Sequence, residues 1–534
     1  MACAAGWRCP AKPADPRKRS INISRDDMVT TLKTLRNDSL AAKQDAPGTA
    51  ALRSSLKESD RLLSTNPGNV EIAFVRAQLL WKLGRTEEAR DAYLSILLKA
   101  PTHFGALNNL GVLLHSTGHG KAALICYGRA ALCHPDNPTG HINYANSLAE
   151  DGELALAREH LEKALALDPG HPEAHQGLAG VFDKLGDEVS AELHRRKGFG
   201  KKSVIVLPYR GQKKPVRVLL LTSATRGNTT IQRFLHDLVF QVVVIIVEYF
   251  DSTQPLPPHE LIVNAVGNAD ICKDALLAAE RLAATSSAPV VNLPGAVAQT
   301  DRVSVAARLK DVPGVVAPET KNFPRSALSA PDAFDVLAGH GFTAPFLLRS
   351  PGFNNGLNFF RINNPGELAE ALKALPGQEI TAIQFLDAKG ADGKIRKYRV
   401  MMVDGKLYPL HAAVAHQWKI HYVTAEMADH PEHRAEDSEF LENMENVLGP
   451  RAMAALEQIR EILSLDYGGV DFSLNKDGDI LLFEANATMT VNLPDNDERW
   501  SYRREPVQRI LRAVRNMFLA RTAPAGGLSL PEGR

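Results

Sequence analysis

Short, near-continuous apolar runs alternate with helical patterns through the middle of the chain. The runs that predict strands are residues 216–222 (VRVLLLT), 240–249, 261–266 and 289–292. Helical patterns lie between them, around residues 231–238 and 273–284. Runs without polar alternation are typical of strands buried on both faces, and strands that alternate with helices form parallel sheets. We therefore predict a small parallel-sheet α/β domain over residues 216–300.

Two further apolar runs, on either side of residue 476, predict a β-hairpin. The second run covers residues 480–483, and an Asn-Lys-Asp-Gly turn precedes it. Asp471 lies on the first strand, whereas Glu484 and Asn486 close the second and, being two residues apart, face one side of it. Carboxylate and amide oxygens are the ligands that Mg²⁺ prefers. The hairpin therefore predicts a metal site at these three residues; solvated residues that simply end a strand are the alternative.

The first half of the chain repeats with a period of 34 residues. Three interlocked series share this spacing: Gly84, Gly118, Gly152 and Gly186; Pro67, Pro101, Pro135 and Pro169; Ala89, Ala123, Ala157 and Ala191. In a pair of antiparallel helices, glycine suits the turn, a small alanine lets the helices approach, and proline ends the second helix. The three series resemble the tetratricopeptide repeat family, in which each unit is such a helix pair.

The resemblance implies a repeat array over residues 51–200. Complete repeats are expected at residues 70–103, 104–137 and 138–171. A fourth begins at Pro172 and ends near Gly198, and one earlier helix precedes the array. Stacked helix pairs form a solenoid whose concave face suits a peptide, so we expect a peptide or protein partner. An array that only rigidifies or dimerises the protein is the alternative.

Composition excludes two classes of partner. A formal net charge of +1 over 534 residues provides no bulk field for nucleic acid or for an anionic membrane. The most apolar run, residues 238–247, contains Gln241 and is far shorter than a membrane-spanning helix. The five cysteines form no CxxC pair and are odd in number, which is typical of the reducing cytoplasm. We therefore expect a cytoplasmic protein without nucleic-acid or membrane partners.

Three segments lack the periodic patterns of the rest. Residues 1–50 begin with a Pro-, Lys- and Arg-containing stretch that has no apolar core of a signal peptide, which predicts a disordered or partly helical leader. Residues 201–215 are rich in Lys, Gly and Pro, and predict a linker. Residues 521–534 are rich in Gly and Pro, and predict a flexible tail.

The motifs between residues 216 and 520 follow the order of the ATP-grasp superfamily, which this half of the chain resembles. Arg302 begins a helix that a Pro-flanked strand follows, and Arg349 ends a strand before a glycine-rich loop. The strand that ends in Gln384-Phe385-Leu386 takes the place of the adenine hinge, and a later strand carries Arg399. The hairpin with its two acidic residues and one Asn occupies the position at which the family binds Mg²⁺ on ATP.

The resemblance implies an ATP-grasp nucleotide-binding and catalytic domain at residues 301–520, after the α/β domain at 216–300. The expected architecture is thus multidomain: an all-α tetratricopeptide solenoid followed by an α/β and α+β ATP-grasp fold. The strand with an Arg is similar to the branch of glutathione synthetase and the ribosomal-protein glutamate ligases. In that branch ATP activates a carboxylate as an acyl phosphate. We expect a carboxylate–amine or carboxylate–thiol ligase that uses ATP with Mg²⁺, or with Mn²⁺ in its place.

The resemblance also implies roles for individual residues. The ATP-binding residues would be Arg302, Arg349, Asn355, Gly356, Gln384, Phe385, Leu386 and Arg399. The metal ligands would be Asp471, Glu484 and Asn486. Arg349 and Arg399 would be catalytic, because they would stabilise the transferred phosphoryl group. Arg349 stands where many members have lysine, which leaves the geometry at the phosphates open.

A polar stretch after residue 410 supplies candidates for substrate binding. These candidates are His411, His416, Trp418, His421 and, further on, Arg499. Histidines five residues apart share neither a helix face nor a strand face, so we predict no zinc site among the three. Polar groups on an exposed strand, and surface charge for the arginine, are the alternatives. Two other functions stay open: a kinase that phosphorylates a hydroxyl, and a scaffold whose nucleotide site is vestigial.

Overall fold

The computed structural model describes residues 48–200, 202–209, 211, 213–353, 358–420, 425–494 and 497–522. These residues form two compact units; the first extends to Lys202 and includes residue 211, and the second comprises Ser203–Tyr209 and the residues from Lys213 onward. The predicted leader up to residue 47 and the predicted tail beyond residue 522 lie outside the described residues. Within the described ranges, no helix has both the length and the apolar character needed to cross a membrane.

The first unit is a series of helices. Helix α1 (Gly48–Thr65) precedes four helix pairs joined by short turns. The pairs are α2 (Val70–Lys82) with α3 (Thr86–Lys99), α4 (Phe104–Ser116) with α5 (Gly120–Cys133), α6 (Pro138–Glu150) with α7 (Leu154–Leu167), and α8 (Pro172–Leu185) with α9 (Glu188–Phe199). The predicted helical repeat array is therefore confirmed. Its fourth unit contains both helices of the pair.

The periodic residues occupy the places that a helix pair requires. The turn glycines Gly84, Gly118, Gly152 and Gly186 all have positive φ, between 73° and 90°. This left-handed conformation costs glycine little and costs other residues more. Ala89 and its three counterparts are fully buried, where a larger side chain would push the two helices apart. One series of residues thus fixes the turns and another fixes the packing.

The second unit begins with a five-stranded sheet. Its strands are β1 (Val204–Val206), β2 (Val216–Thr222), β3 (Phe240–Ile246), β4 (Leu261–Asn264) and β5 (Val290–Val291). They lie in the order β1-β3-β2-β4-β5, with β2 to β5 parallel and β1 antiparallel at the edge. Helix α10 (Lys273–Ala283) connects β4 with β5. The parallel sheet predicted for residues 216–300 is present.

Two local expectations in this region differ from the structure. The segment predicted as a linker, residues 201–215, contains β1, because its Val-Ile-Val run pairs with β3 and β-branched residues favour strands. The helix expected around residues 231–238 is a single 3₁₀ turn, Thr230–Phe234. One turn is enough to bury Ile231 and Phe234 in the short connection between β2 and β3.

Two more sheets complete the unit. Their strands are β6 (Val315–Val316), β7 (Thr320–Pro324), β8 (Phe346–Arg349), β9 (Phe359–Ile362), β10 (Glu379–Gln384), β11 (Ile395–Val403), β12 (Lys406–Ala415), β13 (Tyr467–Leu474) and β14 (Ile480–Asn486). The second sheet has the order β7-β10-β8-β9 and the third sheet has the order β12-β11-β13-β14-β6. The helices are α11 (Pro294–Ala298), α12 (Arg302–Leu309), α13 (Arg325–Leu328), α14 (Ala333–Gly339), α15 (Pro365–Ala374), α16 (Pro431–Glu442), α17 (Met444–Leu463, kinked at Gly449) and α18 (Arg504–Thr522).

The apolar cores show how these sheets are joined. The first and third sheets share one core, in which Leu219 and Ile262 belong to the same buried cluster as Val470 and Phe472. The second sheet has a separate core, which includes Phe346. The second sheet is therefore a distinct layer of the unit, and the site described next is lined by residues from both the second and the third sheets.

Candidate active site

Strand pairing in the third sheet brings the predicted catalytic and metal-binding residues together. Arg399 on β11 lies opposite Asp471 on β13, and Asp471 lies opposite Glu484 on β14. Directly opposed residues in antiparallel strands have neighbouring side chains. The register of β13 against β14 shifts just after Asp471, and such an irregularity changes the direction of the side chains beside it. One row across three strands therefore carries a cation and two carboxylates.

Asp471 is fully buried and is held by two cations. Arg399 donates two hydrogen bonds to its carboxylate, at 2.5 Å from Nε and 2.7 Å from Nη2. Lys397 Nζ lies 2.6 Å from Oδ2 of the same carboxylate. Burial by itself raises the pKa of Asp471, but Arg399 and Lys397 outweigh it and hold that pKa well below its usual range. Asp471 is therefore ionised at any physiological pH.

Glu484 and Asn486 lie beside a third cation. Arg302 Nη2 is 2.7 Å from Glu484 Oε1, and Asn486 Nδ2 donates to the same oxygen at 2.6 Å. Burial raises the pKa of Glu484, but Arg302 and Arg349 lower it more strongly, to about 2. Asn486 Oδ1 accepts hydrogen bonds from the backbone N and the hydroxyl of Thr488, both at 2.8 Å. The amide oxygen thus faces Thr488 and the amide nitrogen faces Glu484.

Arg349 is a buried cation with spare donor capacity. It ends β8, its side chain is buried, and its guanidinium donates to the Phe353 carbonyl. Among the described residues, its Nε has no hydrogen-bond partner. Burial and the nearby Arg302 charge lower the pKa of Arg349 to about 10, so it stays protonated at neutral pH. A buried, charged donor without a partner is costly unless a ligand completes it.

Cations outnumber carboxylates around this row. Arg302 also approaches Asp270, whose carboxylate accepts from the Arg302 backbone N at 3.0 Å and lies 3.7 Å from its Nε. The cations are Arg302, Arg349, Lys397 and Arg399, and the carboxylates are Asp270, Asp471 and Glu484. Four positive and three negative groups give a local charge of +1. Such a surplus suits an anion, and a phosphate group is a strong acceptor for these donors.

All of these charged residues except Asp270 line a cleft of about 1220 Å³. Residues that line it and were predicted to bind the nucleotide or metal are Arg302, Arg349, Gln384, Phe385, Leu386, Arg399, Asp471 and Glu484. A smaller pocket of about 30 Å³ shares Arg302, Arg349 and Glu484 with the cleft and also contacts Asp270 and Asn486. The cleft thus has apolar residues on its wall at Gln384–Leu386 and charged residues on the strands of the third sheet. This arrangement is typical of small-molecule sites.

The predicted substrate residues separate into two groups. His411 and Trp418 line the cleft. His411 is buried, and burial together with the Arg399 charge lowers its pKa well below the ordinary value, so the imidazole is neutral. Trp418 stacks edge-on against Phe359, with ring centroids 5.6 Å apart. Its position at the mouth of the apolar wall suits contact with a planar ligand.

The other substrate candidates are placed elsewhere. His416 lies beside Glu426, 2.9 Å from its carboxylate, and Arg499 pairs with Asp497 at 2.6 Å. Neither is among the described residues that line the cleft. Both are half-exposed surface groups, which is the alternative that the sequence left open. Asn355, Gly356 and His421 lie outside the described residues.

Lys397 is the site residue that reasoning from the sequence underrated. It contacts Asp471, whereas the neighbouring Arg396 pairs with Asp392 and Glu436 away from the cleft. The signal was present in the sequence, since Lys397 and Arg399 are two residues apart and so share one face of a strand. Asp270, in the loop after β4, is paired with Arg302 and is a second site residue that the sequence motifs did not indicate.

Comparison with known proteins identifies the repeats. Profiles described as tetratricopeptide repeat match residues 53–104, 74–141 and 148–193. The chain is 34% identical over 84 residues to the TPR repeat-containing thioredoxin TTL4 of Arabidopsis thaliana, a match that covers 16% of this chain and 12% of that protein. It is 28% identical over 109 residues to cellulose synthase operon protein C of Pseudomonas fluorescens, covering 20% and 8%. The matched region thus spans about a tenth of these relatives. The first unit contains tetratricopeptide repeats.

Solved structures resemble parts of the chain at a low level. MamA of Desulfovibrio magneticus is 20% identical, with a TM-score of 0.26, and the match covers 32% of this chain and 89% of that one. A RimK domain protein ATP-grasp from Sphaerobacter thermophilus is 17% identical, with a TM-score of 0.35, covering 57% of this chain and 99% of that one. At TM-scores this low, neither likeness bears on what the second unit does.

Proposed function

We propose that the second unit is an ATP-dependent ligase that activates a carboxylate and transfers it to an amine or a thiol. The observation that carries this proposal is the row of Arg399, Asp471 and Glu484 at the wall of a large cleft. Both carboxylates in this row are ionised, and a surplus of cations surrounds them. The resemblance of the motif order to the ATP-grasp superfamily supports the same assignment.

The two walls of the cleft suit the two ends of ATP. The backbone at Gln384–Leu386 would hydrogen-bond the adenine, and Phe385 would cover one face of it. The phosphates would lie toward Arg302, Arg349 and Arg399, with Asn355 and Gly356 as further contacts. Arg349 is well suited to this role because its Nε donor has no partner among the described residues.

The donor set fits Mg²⁺, and Mn²⁺ as a substitute. Asp471 and Glu484 supply ionised oxygens, which Mg²⁺ prefers as ligands over sulfur and imidazole. Asn486 fits after a rotation of its amide, which would exchange the contact of Oδ1 with Thr488 for one beside Glu484. When bound, the metal ion would offset charge on the terminal phosphates of ATP.

The proposed reaction needs no covalent enzyme nucleophile. A carboxylate oxygen of the substrate attacks the γ-phosphorus, the bond from that phosphorus to the oxygen of ADP breaks, and an acyl phosphate forms. An amine or thiol then attacks the acyl carbon, phosphate leaves, and the nucleophile releases its proton. Arg349 and Arg399 stabilise the negative charge on the phosphoryl oxygens during transfer. The neutral His411 borders the cleft without adding to its positive charge.

The repeat array would present the acceptor. A tetratricopeptide groove holds extended peptide weakly, and a tether to a catalytic unit raises the local concentration of that peptide. The acceptor, or the donor of the carboxylate, is accordingly proposed to be a peptide or protein.

The test is release of ADP from ATP, screened against amino acids, peptides and dicarboxylates, with each product identified by mass spectrometry. A ligase yields ADP, phosphate and a condensed product. A phosphorylated hydroxyl without condensation would instead establish a kinase. Glu484→Gln should abolish the turnover, whereas Glu436→Gln, which alters a carboxylate paired with Arg396 outside the cleft, should not. ATP turnover that is unchanged in a folded Glu484→Gln variant would refute the proposed site.

A further inference from the structure

Three metal-ligating side chains meet at the beginning of α16, apart from the row described above. His430 is the residue before the helix, and Glu432 and His433 lie in its first turn. One ligand atom from each of the three lies within 4.8 Å of the others. His430 Nδ1 is 2.7 Å from Glu432 Oε1, and the rings of His430 and His433 are 4.6 Å apart.

His433 is prepared for a ligand. Its side chain is fully buried, and its Nδ1 faces the backbone carbonyl of Glu426 at 3.3 Å. A carbonyl accepts only, so Nδ1 carries the proton and Nε2 carries the lone pair. Among the described residues, Nε2 has no hydrogen-bond partner. A histidine that donates one ring nitrogen to a backbone carbonyl and leaves the other free is the usual state of a metal ligand.

The other two ligands leave the site accessible. The side chain of His430 is 39% exposed and that of Glu432 is 54% exposed, so two of the three ligands face solvent. Two imidazoles and one carboxylate are the donor set of many three-ligand zinc sites, in which water takes the fourth position. Mg²⁺ prefers oxygen ligands alone, so this site would select a different cation from the row at Asp471.

We propose that His430, Glu432 and His433 bind a divalent transition-metal ion, with Zn²⁺ as the ion that the donors fit best. The site has a consequence for the cleft, because residues 425–428 line the cleft and stand just before His430. His433 also contacts the backbone of Glu426. A bound ion therefore ties this part of the cleft wall to the start of α16.

The first experiment measures zinc content. The full chain is stripped with a chelator, dialysed against Zn²⁺, and analysed by elemental mass spectrometry. Wild type should retain one more zinc ion per chain than the double variant His430→Ala/Glu432→Gln. His236→Ala is the matched control, since His236 is also half-exposed beside an acidic residue and should keep the wild-type content. Histidines of the repeats are present in all three proteins, so any zinc they hold cancels. Equal zinc content in wild type and the double variant would overturn the proposal.

A second measurement identifies the metal site without replacing the buried His433, because a substitution there can unfold the helix. Co²⁺ replaces zinc in such sites and gives d–d absorption that reports nitrogen and oxygen ligands. The absorption should be present in wild type and in Glu484→Gln, and lost in the double variant, whose circular dichroism should match wild type. Amide exchange at residues 425–428 should slow on zinc binding in wild type only. Absorption lost in Glu484→Gln but kept in the double variant would assign the ion to the other site and refute this one.

Discussion

The most informative perturbation removes the negative charge of Asp471, with which the buried cations Lys397 and Arg399 both pair. Asp471→Asn keeps the shape of the side chain, but it leaves Lys397 and Arg399 in contact with a neutral amide. Asp471 is fully buried, and the side chains of the two cations are only 13% and 17% exposed. Breaking a buried ion pair costs about 3–5 kcal/mol. Because one carboxylate serves two cations, we expect the upper part of that range, about 4–5 kcal/mol.

The structure also predicts how the three residues depend on one another. Lys397→Met leaves the two hydrogen bonds from Arg399 to Asp471 intact, so it should cost about 1–2 kcal/mol. Adding Lys397→Met to Asp471→Asn removes one of the two stranded cations. The double variant should therefore be more stable than Asp471→Asn alone, which requires a coupling energy larger than the cost of Lys397→Met by itself, about 2–3 kcal/mol. Arg396→Met is the control on the same strand, and its surface pairs predict a cost below about 1 kcal/mol.

Differential scanning calorimetry of the full chain measures these effects in the transition of the second unit. For a unit of this size each kcal/mol lowers the midpoint by roughly 2 °C, so Asp471→Asn should melt about 8–10 °C below wild type. The reasoning fails if Asp471→Asn melts within about 2 °C of wild type, which is the effect of about 1 kcal/mol. It also fails if the double variant melts no higher than Asp471→Asn, because the two cations would then not share one counter-charge.

Three further predictions concern other parts of the molecule. Glu484→Gln should abolish Mg²⁺-dependent ATP turnover without unfolding the protein. Steady-state kinetics measures the turnover and circular dichroism measures the folding; a folded variant with normal turnover would contradict the prediction. His160, whose Nδ1 lies 2.9 Å from that of His141, has its pKa lowered to about 4 from 6.5, mainly by burial. Between these two values the unfolded array binds more protons than the folded one, so the stability of the folded array should be highest above pH 6.5 and should fall as the pH is lowered toward 4. The melting temperature of His160→Phe should depend less on pH than that of wild type. The same dependence on pH in both proteins would count against this account. A chain that begins at Ser203, and so lacks the repeat array, should show a higher KM for the acceptor than the full chain and nearly the same KM for ATP. If the truncated and full chains have the same KM for the acceptor, the array would serve assembly instead.

The sequence predicted those features that depend on local chemistry. The positions of the turn glycines and buried alanines follow from a fixed period, since each performs the same task in every repeat. The hairpin followed from two apolar runs and an Asp-Gly turn, and the structure extends its second strand to Asn486. These signals are contained within a few residues, so one sequence is enough to find them.

Features that depend on long-range pairing were not predictable in the same way. The register that sets Arg399 opposite Asp471 joins strands 72 residues apart. The ion pairs of Lys397 and Arg396 depend on which face of β11 meets the cleft. Lys397 pairs with Asp471, whereas Arg396 pairs with Asp392 and Glu436. The orientation of the Asn486 amide is set by Thr488, a contact that the ExN pattern does not include.

The charge balance of the site links these observations to ligand binding. Every carboxylate in the row is already paired with a cation of the protein, and among the described residues the Nε atoms of Arg302 and Arg349 have no hydrogen-bond partner. Arg302, Lys397 and Arg399 can turn toward phosphate oxygens only if Asp471 and Glu484 exchange these partners for another cation. Phosphate and metal binding are therefore expected to reinforce each other, because either ligand alone would leave a buried charge uncompensated. If the second unit is the proposed ligase, this charge balance would favour the nucleotide together with its metal ion over either one separately, which is the form in which a phosphoryl donor is ready for transfer.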